Sequence, residues 1–138
     1  MQATSREIVI NTRSAPELVD ITPLVQMQVA TAGVAAGIAA VFCPHTTAAL
    51  IVNEADPGLH RDILAMLERL APVGGSYEHN GPNGETNGHA HCRQVLLGGS
   101  LSLPVVGGKL ALGAWQRVYL VELDAPRQRR VLVQVIGS

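Results

Sequence analysis

Alternating apolar and polar residues predict β-strands near both ends of the chain. Residues 6–11 (REIVIN) and 130–136 (RVLVQVI) alternate in the way that gives a strand one buried face. Residues 17–21 (ELVDI) form a second strand or continue the first. The small apolar residues of 35–43 (AAGIAAVFC) favour a buried strand, although periodicity alone leaves a helix open.

The first helix is predicted from its capping residues. Thr22 is placed to cap the helix, and Pro23 occupies a first-turn position where no amide hydrogen is needed. We expect the helix to run to about Ala32, with Gly33 as the glycine that ends it.

A second helix and a long loop follow in the middle of the chain. Asp56 and Pro57 repeat the capping pattern, and apolar residues recur at helical spacing over 57–71. Residues 73–88 are rich in glycine and asparagine, and a loop of this length in a small domain is usually functional or mobile. A short third helix is expected over 89–97.

The last forty residues are typical of antiparallel sheet. Residues 100–106 (SLSLPVV) and 109–123 (KLALGAWQRVYLVEL) flank Gly107 and Gly108, which predict a hairpin turn. A second turn (DAPRQ) then returns the chain into the final strand. Since no repeat or linker interrupts the chain, the sequence predicts one compact α+β domain with a mostly antiparallel sheet and two or three helices.

Composition narrows the classes of protein that this chain can be. Of its 138 residues, 47% are hydrophobic and 15% are charged, which excludes a disordered protein. The net charge of −1 argues against a broad nucleic-acid surface. Low charge also leaves apolar surface exposed, and self-association would cover such surface.

No feature of the sequence indicates a membrane or an oxidising compartment. The apolar runs are shorter than the ~20 residues that cross a bilayer, and the start lacks the pattern of a secretory signal. The two cysteines, Cys43 and Cys92, are too few for a disulfide framework. We therefore expect a cytoplasmic protein without a membrane partner.

Three histidines are the candidate chemical groups. His45, His79 and His91 lie in polar or glycine-bearing runs (CPHTTAAL, SYEHN and NGHAHCR). Imidazoles from three segments can hold one metal ion if the fold brings them together. No short repeat such as HExxH imposes that geometry, so each could equally be an ordinary surface residue.

A series of motifs runs along the chain from about Ile21 to Gly137. In order, the motifs are HTTAAL, NEADP, a histidine after a short loop, NGHAH, LLGGSLSLPV, LGAWQ and DAPR. Together they resemble the YjbQ family, known as secondary thiamine-phosphate synthase-like proteins. The family's recurring polar positions fall on His45, Thr46, Thr47, Asn53, Glu54, Asp56, Asp62, His79, Asn87, His91, Trp115, Gln116 and Arg127. Ala125 replaces the family's usual glycine, and His89 and Cys92 lie outside the pattern.

The resemblance implies a compact α+β fold, a homotrimer, and a site of histidines and carboxylates near subunit contacts. It also implies the joining of a pyrimidine diphosphate to a thiazole phosphate with release of pyrophosphate. The alternative is a trimeric module that binds a metal or a phosphorylated metabolite without turnover. Trp115 could stack on the substrate, although a core or interface position is the simpler interpretation.

The resemblance also suggests a role for each site residue. The three histidines would hold a divalent metal, with Zn²⁺ favoured by ligand type and Mg²⁺ requiring substrate phosphates. The catalytic candidates are Glu54, Asp62 and Arg127. The candidates for holding the phosphorylated partner are Thr46, Thr47, Asn53, Asn87 and Gln116.

Overall fold

Strands and helices follow one another much as the sequence pattern predicts. The structure, a computed structural model, describes residues 1–81 and 83–138. The elements are β1 (Gln2–Asn11), β2 (Glu17–Asp20), α1 (Thr22–Ala32), β3 (Ala36–Phe42), β4 (Ala48–Glu54), α2 (Pro57–Leu70), α3 (Gly88–Leu97), β5 (Ser100–Val106), β6 (Lys109–Leu110), β7 (Gln116–Glu122) and β8 (Gln128–Gly137).

Within these described residues the strands form two sheets. The larger has the order β1-β8-β3-β5-β6 and the smaller the order β2-β7-β4. Every strand pair in them is antiparallel. The last strand, β8, therefore lies inside the larger sheet between β1 and β3.

Both faces of the smaller sheet are covered. On one face Leu50 and Leu120 pack with Val133 of the larger sheet. On the other face Val121 packs with Leu67 of α2, and α3 contributes to the same cluster. The domain thus has three layers, which are the larger sheet, the smaller sheet, and the helices α2 and α3.

Two strand predictions need correction. Strand β4 is not predicted by the sequence pattern, because a strand buried on both faces shows no alternation of apolar and polar residues. Residues 109–123, predicted as one strand, are not continuous. Instead β6 ends at Leu110, a turn is closed by the Gly113 amide donating to the Gln116 side chain (2.7 Å), and β7 then joins the other sheet.

The helix ends confirm one capping prediction and correct another. The Asp56 carboxylate accepts a hydrogen bond from the Leu59 amide (2.9 Å) at the start of α2, as predicted. Thr22, however, is already helical and does not cap α1. Its hydroxyl accepts a hydrogen bond from the Val118 amide (2.7 Å). Strand β2 ends before this point and so leaves the Val118 amide without a strand partner on that side.

The predicted fold class is confirmed. The described residues form three helices on mostly antiparallel sheet in a compact α+β domain. None of these helices is long and apolar enough to cross a membrane.

Candidate functional site

The predicted site residues lie at two opposite ends of the β4–β7 pair. The register places Ala48 opposite Glu122 at one end and Glu54 opposite Gln116 at the other. Six residues of strand separate the two ends, or about 20 Å at ~3.3 Å per residue. Within one chain, Glu54 and Gln116 are therefore remote from Thr47 and from the turn that follows Glu122.

At the Glu54 end the polar groups bond mainly to one another. The Asn53 side chain accepts the Glu54 amide (2.8 Å), and Nε2 of His60 lies 3.0 Å from the Glu54 carbonyl oxygen. Asp62 is exposed on α2. In the described part of the chain, Glu54 and Asp62 form no hydrogen bond with the three predicted histidines. One chain alone does not bring these carboxylates to the imidazoles, and their catalytic role stays a prediction.

At the other end a hydrogen-bonded series joins four side chains. Nη2 of Arg127 donates to the Asp124 carboxylate (2.8 Å), which also accepts from Nδ2 of Asn87 (3.0 Å). Oδ1 of Asn87 lies 3.1 Å from Nε2 of His79. We call Arg127, Asp124, Asn87 and His79, together with His91, the polar cluster.

The donors and acceptors of this series determine that Nε2 of His79 carries a hydrogen. The Asp124 carboxylate can only accept, so Asn87 must present its NH₂ group there and its oxygen to His79. Nε2 of His79 therefore donates, and a neutral His79 keeps its lone pair on Nδ1. Asn87 thus acts as the group that orients this imidazole.

His91 is the second imidazole of the polar cluster. Its ring centroid is 4.5 Å from that of His79, with an angle of 62° between the ring planes. The two rings come from different elements, since His79 lies in the glycine-rich loop and His91 in the first turn of α3. The structure thus brings two of the three predicted histidines together.

His45 is engaged elsewhere. Its Nε2 accepts the Arg130 backbone amide (2.9 Å), so the lone pair on that nitrogen is used. Burial of the ring and the positive charge of Arg129 lower the pKa of His45 below its ordinary value of 6.5. Thr46, beside it, is exposed and lines a cavity of about 310 Å³ with His45 and Phe42.

The residues of one chain do not fit the predicted three-histidine metal site. Among residues 1–81 and 83–138, no group of three or more His, Cys, Asp or Glu side chains is arranged to hold a metal ion. His79 and His91 meet, but the Nε2 lone pair of His45 is already engaged by the Arg130 amide. Zn²⁺ or Mg²⁺ binding stays a prediction, and we derive no chemical step from it.

A buried ion pair supports the turn that carries Arg127. Nε of Arg129 donates to Glu122 (2.8 Å), and its Nη2 donates to Glu122 and to the Thr47 hydroxyl (2.9 Å). Thr12 donates to Glu122 (2.7 Å) and accepts the Arg127 amide (2.9 Å). Thr47 is therefore a buried partner of the ion pair, and its part in holding the phosphorylated metabolite stays a prediction.

The pKa of Glu122 reflects two opposing effects. Burial by itself would raise it, but hydrogen bonds from Arg129, Thr12 and the Asp124 amide outweigh burial and hold the pKa below its ordinary value of 4.5. Glu122 is thus a carboxylate whose negative charge balances Arg129.

Three further predictions concern residues outside the polar cluster. Trp115 is 75% exposed, so a position in the core is wrong for the single chain. Cys43 is buried, as predicted for an inert thiol, and burial raises its pKa. Sequence reasoning missed Asp124 as a site residue, although it is the first residue of the DAPR motif.

Relatives with similar sequences cover nearly the whole chain. The family model described as "UPF0047 protein YjbQ-like" matches residues 6–138. A UPF0047 protein of Methanothermobacter thermautotrophicus is 42% identical over 138 residues, which is 100% of this chain and 95% of the relative. YugU of Bacillus subtilis, also a UPF0047 protein, is 35% identical over 93% of this chain and 96% of its own length.

Solved structures agree with these matches. A YbjQ-like protein of unknown function from Sulfolobus solfataricus has a TM-score of 0.94 at 37% identity, covering 99% of both chains. An uncharacterised YjbQ/UPF0047 protein from Clostridium acetobutylicum has a TM-score of 0.89 at 44% identity, covering 95% of this chain and 99% of the other. Sequence and fold lead to the same conclusion, and the chain belongs to the UPF0047 family of YjbQ-like proteins.

Proposed function

We propose that this protein binds a small phosphorylated metabolite at the polar cluster and catalyses thiamine-phosphate synthase-like chemistry. The observation that supports this most is the series Arg127–Asp124–Asn87–His79, because it holds a cationic fork beside two imidazoles. Arginine N–H groups bind phosphate oxygens bidentately, and an imidazole adds a donor when the nitrogen that faces the ligand carries a hydrogen. Arg127 is 46% exposed in its side chain and so is open to a ligand.

The proposed reaction needs charge stabilisation more than proton transfer. A ring nitrogen of the thiazole phosphate attacks the methylene carbon of the pyrimidine diphosphate. The carbon–oxygen bond to the diphosphate breaks, and its electron pair leaves with pyrophosphate. Arg127 would stabilise the negative charge that develops on the leaving oxygens. His91 would help to position the phosphates, and His79 would do so in the form that carries hydrogen on both ring nitrogens.

A homotrimer is part of this proposal. Ile38 lies opposite Ile136, and Phe42 opposite Leu132, on the outer face of the larger sheet. All four side chains are exposed in the single chain by 37–50%. The pair Ala40 and Gln134 lies between them. Exposed apolar side chains on both sides of that pair support association with further copies. Association would also allow Glu54 of one subunit to approach the polar cluster of another, which one chain alone does not permit.

A cytoplasmic location is the setting that we propose. Cys43 and Cys92 are both free thiols. Free thiols are typical of reducing compartments.

A direct assay tests the proposed reaction. Purified protein is incubated with the pyrimidine diphosphate and the thiazole phosphate, with and without added Zn²⁺ or Mg²⁺, and thiamine phosphate is measured. Arg127→Gln should lower kcat/KM about 100-fold, the usual effect of removing a donor to a developing anion. Arg6→Gln, an exposed arginine on β1, should leave kcat/KM unchanged.

The same samples distinguish the alternative function. Because Glu54 and Asp62 are remote from the polar cluster in one chain, the site could bind without turnover. Pyrophosphate binding that Arg127→Gln weakens, with no product formed, would favour the non-catalytic trimeric module. Absence of both product and pyrophosphate binding would reject the proposal.

A further inference from the structure

Two hydrogen bonds of the polar cluster converge on a single oxygen atom. Oδ2 of Asp124 accepts from Nη2 of Arg127 (2.8 Å) and from Nδ2 of Asn87 (3.0 Å). The other carboxylate oxygen has no hydrogen-bond partner among the described residues, and it is not enclosed by them. One atom of Asp124 thus holds both the cationic group of the site and the amide that leads to His79.

Asn87 contributes to this arrangement rather than to the end of helix α3. It precedes the first helical residue, where an asparagine side chain normally accepts a hydrogen bond from an amide of the first turn. Here the side chain makes no such bond, and its two ends contact Asp124 and His79 instead. A missing cap destabilises a helix, so this orientation of Asn87 benefits the polar cluster and not α3.

The backbone around Asp124 is fixed independently of its carboxylate. The Asp124 amide donates to Oε2 of Glu122 (3.2 Å), which belongs to the buried ion pair. The Arg127 amide donates to the Thr12 hydroxyl (2.9 Å), which is bonded to the same glutamate. Substitutions of the Asp124 side chain should therefore leave the turn attached to the core and change mainly the two bonds at Oδ2.

We propose that Asp124 is a positioning residue that aligns Arg127 and His79 as one unit. The inference rests on the proposed function of this site. The alignment of His79 passes through Asn87, whose amide can turn over once Asp124 offers no acceptor. Nothing then requires Nε2 of His79 to carry the hydrogen. The exposed imidazole would also be free to rotate, so a phosphorylated ligand would have to order it on binding.

Two substitutions that remove the same charge separate positioning from electrostatics. Asp124→Asn can place its carbonyl oxygen where Oδ2 lies and so keep both bonds, whereas Asp124→Ala keeps neither. The hydrogen on Nε2 of His79 is followed by ¹⁵N NMR in the ligand-free protein at mildly alkaline pH. We expect its signal in the wild type and in Asp124→Asn. In Asp124→Ala the signal should be lost, because a hydrogen without a bonded partner exchanges rapidly with water.

Pyrophosphate binding gives a second measurement on the same pair of variants. Both lack the negative charge beside Arg127, so a difference in affinity between them reports the lost acceptor and not the lost charge. Titration calorimetry should show that Asp124→Ala binds pyrophosphate about tenfold more weakly than Asp124→Asn, the effect of one lost hydrogen bond. Equal measurable affinities in the two variants would overturn the proposal.

Asp20 provides the matched control. Its carboxylate accepts from Nε of Arg117 (2.8 Å) in another partly exposed ion pair. Asp20→Ala should leave the His79 signal and pyrophosphate binding at their wild-type values, because this pair has no hydrogen bond to the polar cluster within the described residues.

The NMR signal separates failure of this inference from failure of the proposed function. A wild-type protein that binds no pyrophosphate would reject the proposed function, and the role of Asp124 would still be decided by the His79 signal. Equal signals in Asp124→Asn and Asp124→Ala would overturn that role. If Asp124→Ala does not fold, the wild-type spectrum decides, since an Nε2 without a hydrogen in the wild type contradicts the positioning.

Discussion

Glu122 and Arg129 form an ion pair that is almost completely buried beneath the Arg127 turn. Their side chains are 0% and 2% exposed, so neither charge is solvated by bulk water. Hydrogen bonds from Thr12 and to Thr47 complete the arrangement. Removing one member would leave a buried charge without its partner, which is strongly destabilising. At this scale, stability and the position of Arg127 depend on the same contacts.

The lowered pKa of Glu122 predicts a specific acid sensitivity. A carboxyl whose folded pKa is below its unfolded value of 4.5 contributes stability above that pH. This contribution should disappear as the pH falls through the folded pKa. Denaturant unfolding measured between neutral pH and acid should therefore show a loss of unfolding free energy below about pH 4.5. In that range Glu122 of the unfolded state binds a proton before Glu122 of the folded state does.

Two variants identify Glu122 as the source of this acid sensitivity. Glu122→Gln should be less stable at neutral pH but should lose less stability on acidification. Glu7→Gln removes an exposed carboxylate that pairs with Arg130 and should keep the wild-type pH profile. An identical profile in Glu122→Gln and wild type would contradict the assignment.

Among the elements, α3 and the loop before it create the polar cluster together. The loop is anchored by the Tyr77 hydroxyl, which donates to the Pro72 carbonyl (2.7 Å), and by the Asn80 side chain, which accepts the Gly88 amide (2.8 Å). These contacts bring His79 back to the start of α3. The glycine-rich loop is therefore held against the helix that it serves.

Gly88 is the position where this packing is tightest. A Cβ added there would lie 2.6 Å from Cβ of Tyr77, so the loop or the helix must shift. We expect Gly88→Ala to lower the free energy of unfolding by about 1–3 kcal/mol, as overpacking does. It should also weaken pyrophosphate binding, because His79 moves with the loop. Denaturant unfolding and titration calorimetry measure the two effects.

Gly74 provides the matched control for this change. A Cβ at Gly74 meets no atom within 4 Å, so Gly74→Ala should leave both stability and binding close to wild type. Equal effects of the two substitutions would show that tight packing at Gly88 does not position the loop.

At the scale of the whole molecule, the outer face of the larger sheet carries exposed apolar side chains. The inner face of β8 is buried through Val131, Val133 and Val135, whereas Leu132 and Ile136 point outward. The outward face of β8 is mixed, because Gln134 lies between Leu132 and Ile136 and accepts a hydrogen bond from Ser5. Leu132 and Ile136 still present exposed apolar surface, and such surface favours a sheet that is covered on this side.

Charge added to the outer face of the larger sheet should dissociate the proposed trimer. The double variant Ile38→Asp, Ile136→Asp places two like charges opposite each other, and burying them in an interface is costly. Sedimentation should then show monomers where the wild type shows trimers. Met27→Asp also adds a charge at an exposed apolar position, but on α1, and should leave the oligomer unchanged. A wild-type protein that is monomeric at all concentrations would reject the trimer.

Local patterns were sufficient wherever one residue and its neighbours determine the structure. Asp56 caps α2, Gly33 ends α1 with a φ of 68°, and Gly107 and Gly108 make the hairpin turn with positive φ values, as predicted. The family's motifs were likewise recognised from the sequence alone. Predictions failed where a segment is buried on both faces, as in β4, because periodicity then carries no signal.

The sequence by itself determined the start of α2, the end of α1, the alternating strands, the fold class and the family, because these depend on contacts close along the chain and on the order of motifs. Only the tertiary structure decided which polar residues meet. It paired His79 with His91, sent Glu54 to the far end of β4, and brought Asp124 to Asn87 across 37 positions. Such contacts depend on strand register and on how the loop packs, and the spacing of residues along the chain determines neither of them.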